Sequence, residues 1–381
     1  MEKRFEKHNE EVKRVWEAYR ARRPERVPVV YGINVRFILL NEELNPGGLT
    51  FRKYSDDPRV MLEKQLEFHR WVRFNVPQDM EMGLPAAWDV YVDFQNYYEA
   101  GFLGASVRFP AGNVPAAAPL LADDNKRMLL DAGLPDLDES PLWRKNLRFY
   151  EHFAAKKREG YTFEGRPLGN IQLKGLGTDG PMTLFMSLRG QGALLDMKLE
   201  PRYFHLMMQY FTAFQIQMMK KARRIAGQAE RQEVFGFADD SVELLGAADY
   251  REFVLPYHRQ LVAELGGKGP HSIHLCGDVQ RLLPIIRDEL NVRSFDTGFP
   301  VRWEALRDAL GEDVEVYGGV HVDTLRRGTP EDVKAEAKRI LESGIMRGGR
   351  FVLREANNLA PLTPVENLQA MYEAAKEYGR Y

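Results

Sequence analysis

Eight short apolar runs, separated by helical or loop-rich sequence, constrain the fold of this 381-residue chain more than any other feature. They lie at 27–33, 87–92, 169–176, 234–237, 272–276, 292–295, 314–317 and 351–353. Each has the length of a buried strand. Between and after the later ones, the segments 200–225, 248–266, 278–289, 303–310, 330–343 and 364–377 read as helices. Strands that alternate with helices form a parallel sheet, and eight of them close most simply into an α/β fold, the (β/α)8 TIM barrel. Residues 1–24 read as a charged N-terminal helix with Val12, Val15, Trp16 and Tyr19 at helical spacing. The stretch 93–168, rich in Pro, Asp, Lys and Arg, reads as an insertion of helices and loops. The whole of 1–381 is then expected to form one barrel domain.

Composition narrows the class of function. The chain carries 53 basic and 55 acidic residues, a formal charge of −2, so no basic excess points to nucleic acid or an anionic membrane. A hydrophobic share of 44% with 28% charged residues suits a soluble enzyme. The single cysteine, Cys276, excludes an intramolecular disulfide and fits a reducing compartment. The first residues lack the apolar core of a signal peptide. The greasiest stretch, 204–219, is interrupted by Gln209, Gln215 and Gln217. It falls short of a spanning helix. The expected location is the cytoplasm.

Catalytic groups of such barrels sit where strands end at their carboxyl side. Polar residues collect there. The fourth strand ends in Asp239-Asp240, the fifth at Cys276 and the sixth at Asp296. The seventh runs to His321, and the eighth ends Arg354-Glu355-Ala356-Asn357-Asn358. Alternation along the fifth strand puts His274 and Cys276 on one face and Ile273 and Leu275 on the other. A nitrogen ligand beside a thiolate suits zinc, which needs at least one donor more. The plain alternative is a buried cysteine and a hydrogen-bonded histidine in a strand. By the same alternation Phe235, Phe237, Val316 and Val320 face the helices, while Asp240, Tyr317, Gly319 and His321 face the barrel axis. Asp239 and Asp296 could equally cap helices.

The series Phe237-Ala238-Asp239-Asp240-Ser241, Ser272-Ile273-His274-Leu275-Cys276-Gly277-Asp278, Tyr317-Gly318-Gly319-Val320, Arg327-Gly328-Thr329-Pro330 and Ala360-Pro361-Leu362-Thr363-Pro364 carries a family likeness. The chain resembles the uroporphyrinogen decarboxylase superfamily, in its corrinoid and coenzyme M methyltransferase-like branch. The resemblance implies a TIM barrel. Decarboxylases of the family resemble one another in an arginine-rich segment after the first strand. Here only Arg36 stands in that segment, which argues against porphyrinogen decarboxylation.

The methyltransferase branch implies zinc on a His-x-Cys pair, matched by His274 and Cys276, with a later cysteine near the eighth strand. That later position aligns with Asn357. Glu355 is the expected substitute ligand, with His321 as a second candidate. One His, one Cys and one Glu would make a harder Lewis acid than two thiolates. The resemblance also implies a corrinoid carried by a partner protein, and a small-molecule methyl donor or acceptor. Such a donor could be a methoxylated aromatic. Asp240 and His321 are the expected proton-handling groups. Asn34, Arg36, Tyr31, Tyr317 and Asn357 are the expected substrate contacts, with Trp88 and Tyr91 as further aromatic walls. The alternatives are a metal-free lyase acting on another carboxylate and a non-catalytic binding protein.

Overall fold

The computed structural model describes residues 4–381; the first three residues of the expected N-terminal segment lie outside the described residues. The last five expected strands form one parallel sheet. In chain order these are Gly236–Ala238, His271–Leu275, Val292–Thr297, Glu315–Gly318 and Phe351–Leu353. Their register aligns Phe237, Ile273, Phe295, Val316 and Phe351 across the sheet. All five are buried, as expected for side chains facing the helices. The next row is Ala238, His274, Asp296, Tyr317 and Val352. Pleating turns this second, polar-centred row toward the axis.

The remaining strands complete the barrel less regularly. Trp88–Tyr91 runs parallel to Arg166–Gln172, which also pairs with Thr162–Phe163 in an antiparallel hairpin. Ala238 N donates to Thr178 O at 3.1 Å, joining the third strand's end to the fourth. The first run contributes only a parallel bridge, Val29 to Leu353. Its other edge is sealed by a loop rather than a strand. Asp79 N donates to Val29 O at 2.7 Å, and Val29 N donates to the Asp79 carboxylate at 2.7 Å. Gln78 Oε1 accepts from Tyr31 N at 3.0 Å. Buried backbone groups of the first strand are thus satisfied without a partner strand.

Helices cover the outer face. Pro201–Ile225 starts on a proline and buries Phe204, Met207, Met208, Phe211, Phe214 and Met218. These recur every three or four residues, which makes one stripe toward the core. Trp303–Leu310 matches its expected bounds. The segment 248–266 contains a π-helical turn at Tyr250–Val254 before Leu255–Leu265. The helix expected at 278–289 begins only at Leu283. Pro284 lacks an N–H and would clash with a preceding helical turn, so it fits only at the helix start. The helices Phe51–Asp56, Pro58–Asn75, Pro181–Arg189 and Gly192–Leu199 are among those that lie outside the expected set. Within 93–168 the structure has the helices Tyr98–Phe102, Met128–Ala132 and Pro141–Arg158 and a two-stranded ribbon.

Candidate active site

The fifth strand delivers His274 and Cys276 to the barrel mouth side by side. His274 Nε2 lies 3.1 Å from Cys276 Sγ. Its other nitrogen, Nδ1, donates to Asp296 at 2.8 Å. That bond fixes the ring and directs Nε2 at Cys276, the arrangement in which a carboxylate orients a metal-binding imidazole. Asp240, from the fourth strand's end, approaches to 3.8 Å from His274 Nε2 and accepts the Cys276 N–H at 2.8 Å. Donor atoms of Asp240, His274 and Cys276 all lie within 4.8 Å of one another. Ligands around a tetrahedral ion at ~2.0–2.3 Å stand only a few ångströms apart, so this trio fits a zinc-sized cation with little movement.

Local structure explains the convergence. Gly277 holds φ +79° directly after the pair, and a Cβ there would collide with the Glu243 carboxylate. The strand can therefore turn away at once and leave both side chains at its end. Burial works against charge on His274, but the bonds to Asp296 and Cys276 outweigh it and hold the imidazole at about 11. Burial also pushes the Cys276 thiol up, against the pull of His274.

Glu355 does not join the trio. Its carboxylate accepts Gly32 N–H on both oxygens, at 3.0 and 3.1 Å, and Arg354 Nη2 at 2.7 Å. It is fully buried, and burial pushes it up to about 7 against the pull of Arg354. The carboxylate that stands beside His274 and Cys276 is that of Asp240. Glu355, expected in that place, is instead turned to Gly32 and Arg354. Arg354 also donates to Asp296 at 2.7 Å, so it links the buried Glu355 to the carboxylate that orients His274.

His321 caps the helix Val322–Arg327, its Nδ1 accepting from Asp323 N at 3.0 Å, and its ring centroid lies 3.8 Å from that of Phe299. It therefore serves the backbone through Nδ1, and it is not among the residues that line the cavity described below. Asp239 is fully buried and accepts from Met182 N, Thr183 N and Thr183 Oγ1, with His258 Nε2 at 2.9 Å. It caps the helix Pro181–Arg189 rather than its own following turn.

A cavity of about 540 Å³ opens over this constellation. Asp240, His274, Asp296, Arg354 and Asn358 form part of its lining, and Asn96, Glu99 and Asp179 form another. Arg36 reaches its edge by donating to Gln95 at 2.6 Å and to Asn96 at 3.1 Å. Asn34 accepts from Arg36 N at 3.0 Å. Tyr317 shares the inward row with Asp296, and burial pushes its hydroxyl up to about 12. Asn357, at φ +121°, uses its side chain on Asn358 N, and Asn358 rather than Asn357 lines the cavity. Tyr31 donates to Leu368 O at 2.6 Å, against the last helix. With Trp88 and Tyr91 it lines a separate cavity of about 400 Å³ beside the helix Pro58–Asn75, so these rings do not wall the site.

Glu99 and Asp179 line the cavity without being among the residues expected from the sequence. Asp179 follows the third strand as other acids follow theirs, a signal that was available. Glu99 lies within the insertion, where nothing local marks it.

Residues 169–378, more than half of the chain, match the uroporphyrinogen decarboxylase (URO-D) family. The chain belongs to that family. A methylated-thiol–coenzyme M methyltransferase from Methanosarcina mazei is 37% identical over 139 residues, 36% of this chain and 35% of the relative. A methylcobamide:CoM methyltransferase from the same organism is 32% identical over 143 residues, 36% of this chain and 39% of the relative. A uroporphyrinogen decarboxylase from Pelodictyon phaeoclathratiforme is 28% identical over 159 residues, 41% of this chain and 44% of the relative. These alignments span well under half the length of each relative. The solved structure of a methyltransferase from Methanosarcina mazei aligns with a TM-score of 0.65 at 19% identity, over 96% of this chain and 98% of that one. That likeness carries the barrel fold alone.

Proposed function

We propose that this protein is a zinc-dependent methyltransferase that moves a methyl group between a small methylated molecule and a corrinoid held by a partner protein. The observation that carries the proposal is the Asp240, His274 and Cys276 trio, with Asp296 orienting His274, beneath a cavity of about 540 Å³. Those three residues would hold the zinc, which would act as a Lewis acid on the atom bearing the methyl group. A set of one oxygen, one nitrogen and one sulfur donor is harder than one with two thiolates. It favours an oxygen-bound methyl, as in a methoxylated aromatic, over activation of a thiol.

The cavity's charge supports the same choice. Glu99, Asp179, Asp240 and Asp296 contribute four carboxylates against His274 and Arg354. Arg354 is committed to Asp296 and Glu355. Arg36 is committed to Gln95 and Asn96. Both partners of Arg36 are neutral amides, so it keeps its charge at the cavity's edge, but one such cation against four carboxylates is too few for a substrate with many carboxylates, which disfavours porphyrinogen decarboxylation. Two of the relatives are named for methyl transfer to coenzyme M, in keeping with the reaction class.

The test is methyl transfer from aryl methyl ethers to reduced free cobalamin, followed by the corrinoid's absorbance. The expected result is transfer that stops when a chelator removes the metal and returns with zinc. Loss of carbon dioxide from a carboxylate substrate, indifferent to chelation, would instead support the lyase.

A further inference from the structure

Glu99 is a carboxyl group that the metal trio does not use. It is 2% exposed, stands on the helix Tyr98–Phe102 of the inserted segment, and still lines the site cavity. Tyr98 donates to its Oε1 at 3.2 Å and Gln215 to its Oε2 at 2.9 Å. No cation pairs with it among the described residues. Asp179 lines the same cavity. Two carboxyls in one partly dehydrated cavity resist ionising together, so the pair retains a proton.

Resting on the function proposed above, we infer that Glu99 is the proton donor to the oxygen that keeps its electron pair when the methyl group leaves, and that Asp179 holds the proton on Glu99. The substrate class is then a methyl ether whose alcohol or phenol is too basic to depart as an anion. In the step the carbon–oxygen bond breaks and its electron pair stays on oxygen. The Glu99 proton moves to that oxygen and releases a neutral hydroxyl compound. The electron pair for the methyl carbon's new bond comes from the two-electron-reduced corrinoid. Solvent reprotonates Glu99 afterwards.

The electrostatics agree with this geometry. Burial first, then the charge of Asp179, pushes Glu99 up to about 8 against the donors Thr178, Gln215 and Tyr98. Glu99 therefore stays largely protonated at neutral pH. Asp179 is itself raised to about 6, by burial against the pull of Lys174, with Asp240 and Asp239 adding to the rise and His274 opposing it. The charge of Arg36 also acts on Asp179 from a distance, less strongly than on Asp93. The shared proton is favoured on Glu99, the more deeply buried of the two, which leaves Asp179 the better solvated place for the charge.

The experiment compares wild type, Glu99→Gln and Asp179→Asn on a series of aryl methyl ethers, from 4-nitrophenyl to 4-methylphenyl. Losing a general acid removes about 100-fold or more where the leaving group needs the proton. Glu99→Gln should lose about that on the 4-methylphenyl ether and only a few-fold on the 4-nitrophenyl ether, whose phenolate leaves unaided. Wild-type activity should fall above about pH 8, and Asp179→Asn should move that limb to lower pH. Without corrinoid or turnover, an infrared difference between wild type and Glu99→Gln at pH 7 should contain a protonated-carboxyl carbonyl band. Equal losses across the ether series, or no such band, would overturn the role of Glu99 while leaving the proposed transfer intact. A wild-type protein that demethylates none of the ethers, yet transfers methyl from a thioether, would overturn the substrate class and with it the need for an acid.

Discussion

Asp296 carries more of the site than its position suggests. One of its oxygens takes both His274 Nδ1–H and an Arg354 N–H, while the other is buried without a partner. Removing its charge would free the imidazole to turn and to carry its proton on the wrong nitrogen. Asp296→Asn is expected to weaken zinc affinity by about 10–100-fold, measured by competition with a chromogenic chelator. Unchanged affinity would mean that His274 is oriented by other contacts. Glu355 gives a different kind of prediction, about pH. Its folded-state value, raised to about 7 from the ordinary 4.5, makes its protonated form the better fit inside the protein. The folded chain then binds more protons than the unfolded one between those values. Its contribution to stability is full below about pH 4.5 and lost as pH rises to about 7. Glu355→Gln should flatten that part of a stability-against-pH curve, read from urea midpoints.

At the scale of elements, strand ends and the helices beside them hold one another in place. Asp239 ends the fourth strand but caps the helix after the third, through Met182 N and Thr183 N. It couples two adjacent βα units at the cavity's edge. Asp239→Ala would leave two helix N–H groups and His258 without their acceptor in a fully buried place. The expected cost is about 2–4 kcal/mol, from a lost cap and unsatisfied buried donors, read from a chemical denaturation midpoint. A loss under about 0.5 kcal/mol, the usual range for surface changes, would contradict the coupling. What the sequence reveals at this scale follows physical lines. The strands at 272–276, 292–295, 314–317 and 351–353 are legible because both faces of a barrel strand need patterned side chains. Phe51–Asp56 and Pro58–Asn75 carry ordinary start signals, Thr50 and Asp57-Pro58. Their apolar residues are diluted by charge, which weakens the periodicity that marks a helix. Sequence offset from the family's later cysteine points to Glu355 as the third donor, whereas the carboxylate beside His274 and Cys276 is that of Asp240. Only the closeness of Gly32, where a Cβ would strike Arg354 and Glu355, reveals that Glu355 is turned to the first strand. Glu99 depends on how the inserted segment folds back over the mouth, which no local pattern encodes.

For the whole molecule, closure depends on a few polar contacts where the ladder is missing. Asp79 is fully buried, binds Arg26 through two bonds of 2.7 Å and also takes Val29 N–H. It joins the first strand to the chain that follows and ties both to the N-terminal helix through Arg26 and Glu11. Asp79→Ala would leave Arg26 buried with Glu11 as its remaining carboxylate partner. Breaking one side of a buried pair typically costs about 3–5 kcal/mol, so this single change should destabilise the protein more than loss of any surface ion pair. No helix among the described residues is long and apolar enough to cross a membrane. Around this frame the strand ends converge on one cavity, which Asp240 and His274 line with Cys276 beside them. The most direct measurement is metal content by plasma mass spectrometry, on protein purified without added metal, for wild type and the variants Cys276→Ala, Asp240→Ala and Glu355→Ala. The expected result is about one zinc per chain in wild type and in Glu355→Ala, with zinc lost in Cys276→Ala and Asp240→Ala. No metal in wild type, and none taken up on titration, would contradict the site and the reaction built on it.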